Sequence, residues 1–208
     1  GSEMCIRDRP DPVTGARGTP IYQTTSFVFD DAEHGAELFN LQTFGYVYSR
    51  MTNPTVSVFE ERVAQLEGGR GAVATSSGHA AQFIAAATLM EAGDEFIASR
   101  NLYGGSVTQF GVSFPKLGWK CNFVDPTDPE NFEKAMNDKV KFIFCEGVAN
   151  PGGIILDLEK IADIAHKHGV LLIVDNTLAS PYLLRPFEWG ADLAVSYTHL
   201  RAHETNQD

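Results

Sequence analysis

The sequence predicts an α/β fold built around a mostly parallel β-sheet. Between residues 71 and 195, short apolar runs of strand length alternate with segments of helical periodicity. The run VLLIVD, at residues 170–175, is almost continuously apolar, which is typical of a strand covered by helices on both faces. Strands that alternate with helices form βαβ units, and these units place their strands in parallel.

The first segment, residues 10–55, has little periodicity and is predicted to be an N-terminal arm. It contains QTTSFVF, a short amphipathic stretch near AEHGAELFNLQ and the loop GYVYSRMTNPT. A helix is predicted from Thr55, because apolar side chains then recur at helical spacing up to Leu66. Ser57 and Glu60 form a candidate capping box, and the following Gly-Gly pair ends the helix.

Strands and helices alternate in the rest of the chain. The predicted strands are, in order, GAVATS, DEFIAS, CNFVD, KVKFIFCE, VLLIVD and ADLAV. The predicted helices are HAAQFIAAATLM, Gly104–Leu117, a helix capped by Thr127 and Glu130 that runs to Met136, and Leu158–His168 with Asp157 as N-cap and Gly169 as C-cap.

The composition excludes several classes of function. The chain has 208 residues and a formal net charge of −11, and a field of that sign repels nucleic-acid backbones and anionic membrane surfaces. No apolar run in the sequence reaches the roughly 18 residues of a membrane span. Cys5, Cys121 and Cys145 are scattered and odd in number, which indicates neither a disulfide framework nor a metal site and fits a reducing compartment.

Both ends differ in character from the middle of the chain. Residues 1–9 and residues 196–208 are polar and have no periodic apolar stripe, and we expect them to be a non-native leader and a non-native tail. Natural polar tails are the alternative. On this interpretation, residues 56–195 are part of a larger α/β domain.

The turn before the first long helix of this domain is a candidate phosphate site. In an open α/β sheet, ligands bind beyond the carboxyl ends of the strands. Ser77, Gly78 and His79 lie at such an end, where free N–H groups and the positive end of a helix suit a phosphate. The alternative is an ordinary tight turn. The segment matches neither G-x-G-x-x-G nor G-x-x-x-x-G-K-[ST], which disfavours a Rossmann oxidoreductase.

Two other strand ends suit a planar, cationic ligand. Asp175 ends VLLIVD, and a carboxylate at the mouth of so apolar a strand is costly without a cationic or donor partner, such as a protonated ring nitrogen. Tyr103 follows a strand and precedes two glycines, where an aromatic ring can lie flat on a planar ligand. Each also has a purely structural interpretation, as a turn carboxylate and as a turn anchor.

Three further patterns are weaker. Tyr48 and Arg50 point the same way in an extended chain, which allows joint phosphate recognition, although a solvated arginine before a helix is the alternative. Asn150, in EGVANP, either orients a ligand or makes an Asx turn. His199 and His203 are four residues apart beside an acidic residue, but the order is not H-E-x-x-H and the context is not an apolar helix, so no metal site is predicted.

Taken in order, YSRMTNPT, SSGHAA, NLYGG and VDNT resemble the Cys/Met-metabolism family of fold-type I enzymes, which use pyridoxal phosphate (PLP). The resemblance covers nearly all of residues 10–195. It implies the large domain of an aspartate-aminotransferase-like fold, here incomplete, without the family's C-terminal domain. The arm and the histidine of SSGHAAQ are similar to the O-acetylhomoserine sulfhydrylase branch.

That branch implies a γ-replacement in methionine or cysteine biosynthesis, in which O-acetyl-L-homoserine and sulfide give homocysteine and acetate. Cystathionine γ-synthase and methionine γ-lyase are the alternatives within the family. A truncated, non-catalytic homologue that binds PLP or a partner is the alternative from another class.

The resemblance also implies which residues bind the phosphate. Gly78 and His79 would give backbone N–H groups to it, with Ser77 nearby. Tyr48 and Arg50 would reach the phosphate in the site of a neighbouring subunit, which implies a homo-oligomer.

The ring of the cofactor has its own implied partners. Tyr103 would stack on the pyridine ring and assist departure of the leaving group. Asp175 would pair with the pyridinium nitrogen, which keeps the ring an electron sink. Thr177 and Asn150 would help to position the ring.

One position departs from the family's pattern. The strand equivalent to ADLAV continues in the family into Ser-x-Thr-Lys, whose lysine forms the Schiff base with PLP. Here Ser196 and Thr198 keep the spacing, but His199 follows, and no lysine occurs after Lys167. We therefore expect the chain as given to be inactive. The acidic balance fits a cytoplasmic location.

Overall fold

The computed structural model describes residue 11 and residues 13–198, whose contacts divide into two compact units. The first unit contains the described residues up to Gln65 together with Arg70–Ala74. The second contains Leu66–Gly69 and the described residues from Thr75 onward. The predicted leader, residues 1–9, lies outside the described residues, as does the predicted tail from His199 onward.

The first unit contains one short helix and most of a longer one, α1 (Ala32–Phe39) and α2 (Pro54–Glu67). The side chain of Asp31 accepts a hydrogen bond from the N–H of His34 and so caps α1. The amphipathic segment predicted near AEHGAELFNLQ is thus confirmed as a helix.

The start of α2 differs from the prediction, and the predicted capping box is wrong. Asn53 precedes the helix, and its Oδ1 accepts a hydrogen bond from the N–H of Thr55 at 2.9 Å. Proline suits the first helical position, because the N–H that it lacks would have no intrahelical partner there. Glu60 is engaged elsewhere, since its Oε1 accepts a hydrogen bond from the N–H of Ala74 at 2.8 Å.

The strand predicted at GAVATS, residues 71–76, is also wrong. The segment has no regular secondary structure, and none of the strands that the structure describes pairs with it. The side chain of Val73 is 80% exposed, so the face of the segment that carries it is not covered. An apolar run becomes a strand only when a neighbouring strand binds its N–H and C=O groups.

The second unit is built on a five-stranded sheet in which every neighbouring pair is parallel, in the order β2-β1-β3-β4-β5. The strands are β1 (Glu95–Ser99), β2 (Lys120–Val124), β3 (Val140–Glu146), β4 (Leu171–Asp175) and β5 (Leu193–Val195). The parallel α/β architecture and the strands predicted from DEFIAS onward are confirmed.

Helices alternate with the strands as predicted, except that the first of them follows the irregular segment 71–76. They are α3 (Gly78–Leu89), α4 (Gly104–Thr108), α5 (Glu130–Lys134), α6 (Leu158–Lys167) and α7 (Ser180–Leu183). A π-helical turn (Gln109–Ser113) and a 3₁₀ turn (Phe114–Leu117) prolong α4, and a second 3₁₀ turn covers Pro186–Trp189. Within the described residues, no helix is long and apolar enough to cross a membrane.

The predicted N-cap of α6 is confirmed, whereas the C-cap of this helix is His168 and the predicted Gly169 follows it with a φ of 68°. The carboxylate of Asp157 accepts a hydrogen bond from the N–H of Lys160 and caps α6. The capping pair predicted for α5 is wrong, because Asp128 accepts the hydrogen bond from the N–H of Glu130 at 3.0 Å. The hydroxyl of Thr127 donates to Asp125 instead, and α5 ends at Lys134, before Met136.

The two faces of the sheet bury separate cores, because successive side chains of a strand point to opposite faces. On one face, Ile143 and Leu172 pack with Ile161 of α6. On the other, Phe96 and Phe142 pack in a second cluster that includes Ala86 of α3. Both faces of the sheet therefore carry a buried core, whereas the edge strands β2 and β5 keep exposed side chains such as Phe123 and Leu193.

Candidate functional site

A cavity opens at the carboxyl edge of the sheet, between the ends of β3 and β4 and the start of α3. Its volume is about 260 Å³, just below the range for ligand pockets, about 300–1,000 Å³. All of the lining residues belong to the second unit. The edge at which the cavity lies is the one where open parallel sheets bind ligands.

The amino end of α3 forms one side of the cavity. Ser77 caps the helix, since its Oγ accepts a hydrogen bond from the N–H of Ala80 at 3.1 Å. The N–H groups of Gly78 and His79 have no acceptor among the described residues. A Cβ at Gly78 would come within 3.1 Å of the Cβ of Tyr197, so the close approach favours glycine there. Two free donors at the positive end of a 12-residue helix are suited to an anion.

An aromatic wall stands beside this helix. Tyr103 immediately precedes α4, and its side chain is about half exposed in the cavity. Its ring centroid lies 5.9 Å from that of His79, with the planes tilted by 60°. A Cβ at Gly105 would come within 2.7 Å of both rings, so only glycine lets them approach this closely.

Asp175 forms the acidic end of the cavity, at the last residue of β4. Its Oδ1 accepts a hydrogen bond from the N–H of Thr177 at 2.9 Å, and its Oδ2 accepts one from Nε2 of Gln82 at 3.2 Å. Gln82 also donates to Oγ of Ser106 at 3.0 Å, and its Oε1 is buried with no partner among the described residues. Hydrogen bonds from the segment after β4 and from α3 thus fix the orientation of this carboxylate.

A second carboxylate, Glu146, lies next to the first, because Glu146 and Asp175 are register partners at the ends of β3 and β4. Its Oε1 accepts a hydrogen bond from the N–H of Tyr103, and its Oε2 accepts one from the N–H of Asn150, each at 2.7 Å. Burial raises the pKa of Glu146 to about 7, and the negative charge of Asp175 adds to the increase.

The cavity therefore has two ends of opposite polarity. One end presents unpaired N–H groups of a helix, and the other presents two carboxylates with no lysine or arginine among the residues that line the cavity. A ligand that carries an anionic group at one end and a protonated nitrogen at the other complements both. The ring of Tyr103 provides a face for a planar group between them.

The structure brings seven of the nine predicted site residues to this cavity: Ser77, Gly78, His79, Tyr103, Asn150, Asp175 and Thr177. The other two, Tyr48 and Arg50, belong to the first unit. There the guanidinium carbon of Arg50 lies 5.5 Å from the ring centroid of Tyr48, in a cation–π contact.

Sequence reasoning missed four polar residues that line the same cavity: Gln82, Ser106, Glu146 and Tyr197. Gln82 is the one polar side chain in the segment AAQFIAAA and follows Gly78 by one helical turn, which is a signal for a role on the same helix face. Glu146 ends a buried strand as Asp175 does. Its position at a strand end, shared with Asp175, could have identified Glu146 as a site residue.

In the part of the chain that the structure describes, no cluster of three or more His, Cys, Asp or Glu side chains could hold a metal ion. The histidines considered for zinc, His199 and His203, lie outside the described residues.

Known proteins resemble this chain in sequence and in fold over nearly its whole length. The chain is 50% identical over 186 residues to an O-acetyl-L-homoserine sulfhydrylase of Leptospira meyeri, which covers 89% of this chain and 42% of the relative. It is 50% identical over 188 residues to O-acetyl-L-homoserine sulfhydrylase 1 of Thermus thermophilus, with 89% and 45% covered. The chain thus spans less than half the length of these relatives.

The fold is shared with a solved structure. A protein described as an O-acetylhomoserine (thiol)-lyase, from Campylobacter jejuni, matches with a TM-score of 0.87 and 38% identity, over 89% of this chain and 46% of that chain. Its crystal structure carries N'-pyridoxyl-lysine-5'-monophosphate at its position 205. The model of the family described as Cys/Met metabolism PLP-dependent enzyme matches residues 4–203, and the chain belongs to this family of PLP-dependent enzymes.

Proposed function

We propose that this chain is part of an enzyme that replaces the γ-acetoxy group of O-acetyl-L-homoserine with sulfide and yields homocysteine and acetate for methionine or cysteine biosynthesis. The observation that carries the proposal is the two-ended cavity, with the amino end of α3 opposite the carboxylate of Asp175. The relatives named as O-acetyl-L-homoserine sulfhydrylases support the choice of reaction.

PLP fits the groups that the cavity offers. Its phosphate suits the free N–H groups of Gly78 and His79, next to Ser77. Its ring nitrogen, when protonated, suits the carboxylate of Asp175. When bound, PLP supplies an electron sink for carbanions of the amino-acid substrate.

Each side chain around the ring has its own proposed role. The carboxylate of Asp175 holds a proton on the ring nitrogen, and its own orientation is set by the N–H of Thr177. The ring of Tyr103 covers one face of the cofactor and limits the access of water. The Tyr103 hydroxyl is the catalytic group, which gives a proton to the departing acetate, and Asn150 helps to orient the ring.

Tyr48 and Arg50 complete the proposed site from a neighbouring subunit, so the functional protein is a homo-oligomer. Their cation–π contact holds the guanidinium over a ring and orders a long side chain before it binds phosphate. The proposed location is the cytoplasm, which accords with the acidic charge and the scattered cysteines.

A polypeptide limited to these 208 residues is proposed to be inactive. Its sequence contains no lysine after Lys167, and none of the described residues that line the cavity is a lysine. Non-catalytic binding of PLP is the second candidate function, and it is favoured by this same observation. Cystathionine γ-synthase and methionine γ-lyase are the competing reactions of the whole enzyme.

The test compares this chain with the product of the intact gene, amplified from source DNA. Each protein is incubated with PLP, O-acetyl-L-homoserine and sulfide, and homocysteine is measured. We expect homocysteine from the intact gene product alone. Homocysteine formation by the 208-residue chain would refute its proposed inactivity. Reaction of the intact product with cysteine in place of sulfide, or elimination from methionine with no replacement, would assign it to a competing reaction.

A further inference from the structure

Glu146 joins two loops that meet at the cavity. One loop follows β1 and carries Tyr103, and the other follows β3 and carries Asn150. Each carboxylate oxygen of Glu146 accepts a single backbone N–H, one from each loop, at 2.7 Å. The residue is only 5% exposed, so water does not compete for these hydrogen bonds.

The chemistry of this bridge requires a carboxylate. Two separate N–H donors need two acceptor oxygens on one side chain, and the acid provides both as equivalent acceptors when it is ionised, above about pH 7. A glutamine would keep one acceptor and turn an amino group toward the other N–H. Hydrogen bonds from N–H groups to an ionised acceptor are also shorter and stronger than neutral ones, which agrees with the two 2.7 Å distances.

The position of the carboxylate is costly in the absence of such a role. Glu146 lies beside Asp175 at the end of the sheet, in a buried position where a second negative charge is unfavourable. The two residues that it holds bracket the cavity: Tyr103 forms its aromatic wall, and Asn150 lies in the loop after β3.

We propose that Glu146 is a positioning residue, which fixes the Tyr103 loop and the Asn150 loop relative to each other. It thereby sets the distance between the ring of Tyr103 and the side chain of Asn150 in the PLP site. This inference rests on the proposed function for the identity of the ligand. The bridge itself is independent of the ligand and is present in the chain alone.

The first experiment measures hydrogen exchange at the backbone amides of Tyr103 and Asn150 in the 208-residue chain without PLP, at a pH above 7, where Glu146 is ionised. Glu146→Gln should accelerate exchange by about tenfold or more at one or both amides, because one acceptor is lost. The matched control is Glu95→Gln, the same chemical change in a hydrogen-bonded carboxylate that starts β1, at the opposite edge of the sheet. It should leave both amides as they are.

A second variant covers a failure of Glu146→Gln to fold. Glu146→Asp keeps the charge but is one methylene shorter, so it cannot reach both loops, and it should also accelerate exchange at one of the two amides. Unchanged exchange in the folded variants would overturn the proposal.

The second experiment adds PLP and measures its dissociation constant and the circular dichroism induced in its absorption band. Glu146→Gln should weaken binding by about tenfold and reduce the induced signal, because a displaced Tyr103 changes the asymmetry around the ring. Glu95→Gln should change neither. Accelerated exchange with parental affinity and parental dichroism would show a merely structural bridge and overturn the proposal. If the parent chain itself binds no PLP, the proposed function of the cavity fails, and hydrogen exchange alone decides whether Glu146 holds the loops.

Discussion

The side-chain amide of Gln82 donates a hydrogen bond from Nε2 to Oδ2 of Asp175 across 3.2 Å. The bond connects α3, whose first N–H groups suit a phosphate, to the end of β4, whose carboxylate suits a ring nitrogen. The two ends of the proposed cofactor site are therefore fixed to one another by a side chain that is 5% exposed.

Gln82→Met should weaken PLP binding while leaving the fold intact. Methionine has a similar length and no polar atom to leave unpaired, but it donates nothing to Asp175. A hydrogen bond to a charged group contributes about 1.5–3 kcal/mol, so the dissociation constant should rise by roughly tenfold or more. The measurement is a PLP titration followed by absorbance.

Gln65→Met is the control for that substitution, because Gln65 is exposed on α2. It should bind PLP as the parent does. Equal affinity of Gln82→Met and the parent would show that the contact with Asp175 does not contribute to the site.

Glu146 should titrate near neutral pH. Burial raises its pKa from the ordinary 4.5 to about 7, so between these values the folded chain retains a proton that the unfolded chain has released. The contribution of this group to stability is therefore complete below about pH 4.5 and is lost as the pH rises through about 7. The carboxyl ¹³C resonance of Glu146 measures the midpoint directly.

Unfolding experiments should show a pH dependence of the same sign. The free energy of unfolding of the parent, relative to Glu146→Gln, should fall as the pH rises from about 4.5 to about 7. A ¹³C midpoint near 4.5, with a pH-independent difference between the two proteins, would contradict the conclusion that burial raises the pKa of this carboxyl.

Phe96→Ala should cost more stability than any comparable change at the edge of the sheet. The ring of Phe96 is fully buried, lies stacked on Phe142 with centroids 4.7 Å apart, and meets Phe110 edge to face at 5.1 Å. Loss of such a ring should lower the free energy of unfolding by about 3–5 kcal/mol. Phe123→Ala, at a ring that is 37% exposed on β2, is the control and should cost less in urea unfolding. Similar losses at both positions would contradict the assignment of the core.

Gly190→Ala should destabilise the second unit more than Gly68→Ala does. Both glycines have positive φ, 88° and 80°, so alanine is strained by about 1–2 kcal/mol at either position. A Cβ at Gly190 would also come within 2.6 Å of the Cβ of Ala162, whereas nothing lies within 4 Å at Gly68. This contact should add about 1–3 kcal/mol, measured as a difference in unfolding free energy. Equal losses of unfolding free energy would show that α6 shifts to accommodate the added methyl group, which would contradict the prediction.

The alternation of strands and helices could be predicted because each buried strand has its own apolar signature, as VLLIVD does. The strand at GAVATS could not be excluded in the same way, because its small and apolar residues are compatible with a strand and the outcome depends on whether a neighbouring strand pairs with it. The two capping boxes failed for a related reason. Glu60 and Thr127 bind groups other than the helix ends that their spacing suggests, namely the N–H of Ala74 and the carboxylate of Asp125.

The site was predictable where a residue's position in its own strand or turn was sufficient, as for Asp175, Tyr103 and Gly78. It was not predictable where the role depends on a distant partner. Gln82 meets Asp175 across 93 positions of sequence, and Glu146 meets Tyr103 across 43. Periodicity within one element carries no information about such pairs.

The central claim is that the cavity between α3 and the ends of β3 and β4 is the PLP site. Calorimetric titration of the 208-residue chain with PLP, beside the variants Asp175→Asn and Asp163→Asn, tests it most directly. Asp163 is exposed on α6 and provides the matched control. The account predicts one PLP bound per chain, at least roughly tenfold weaker binding for Asp175→Asn, and parental binding for Asp163→Asn. No saturable binding by the parent, or equal binding by Asp175→Asn, would contradict it.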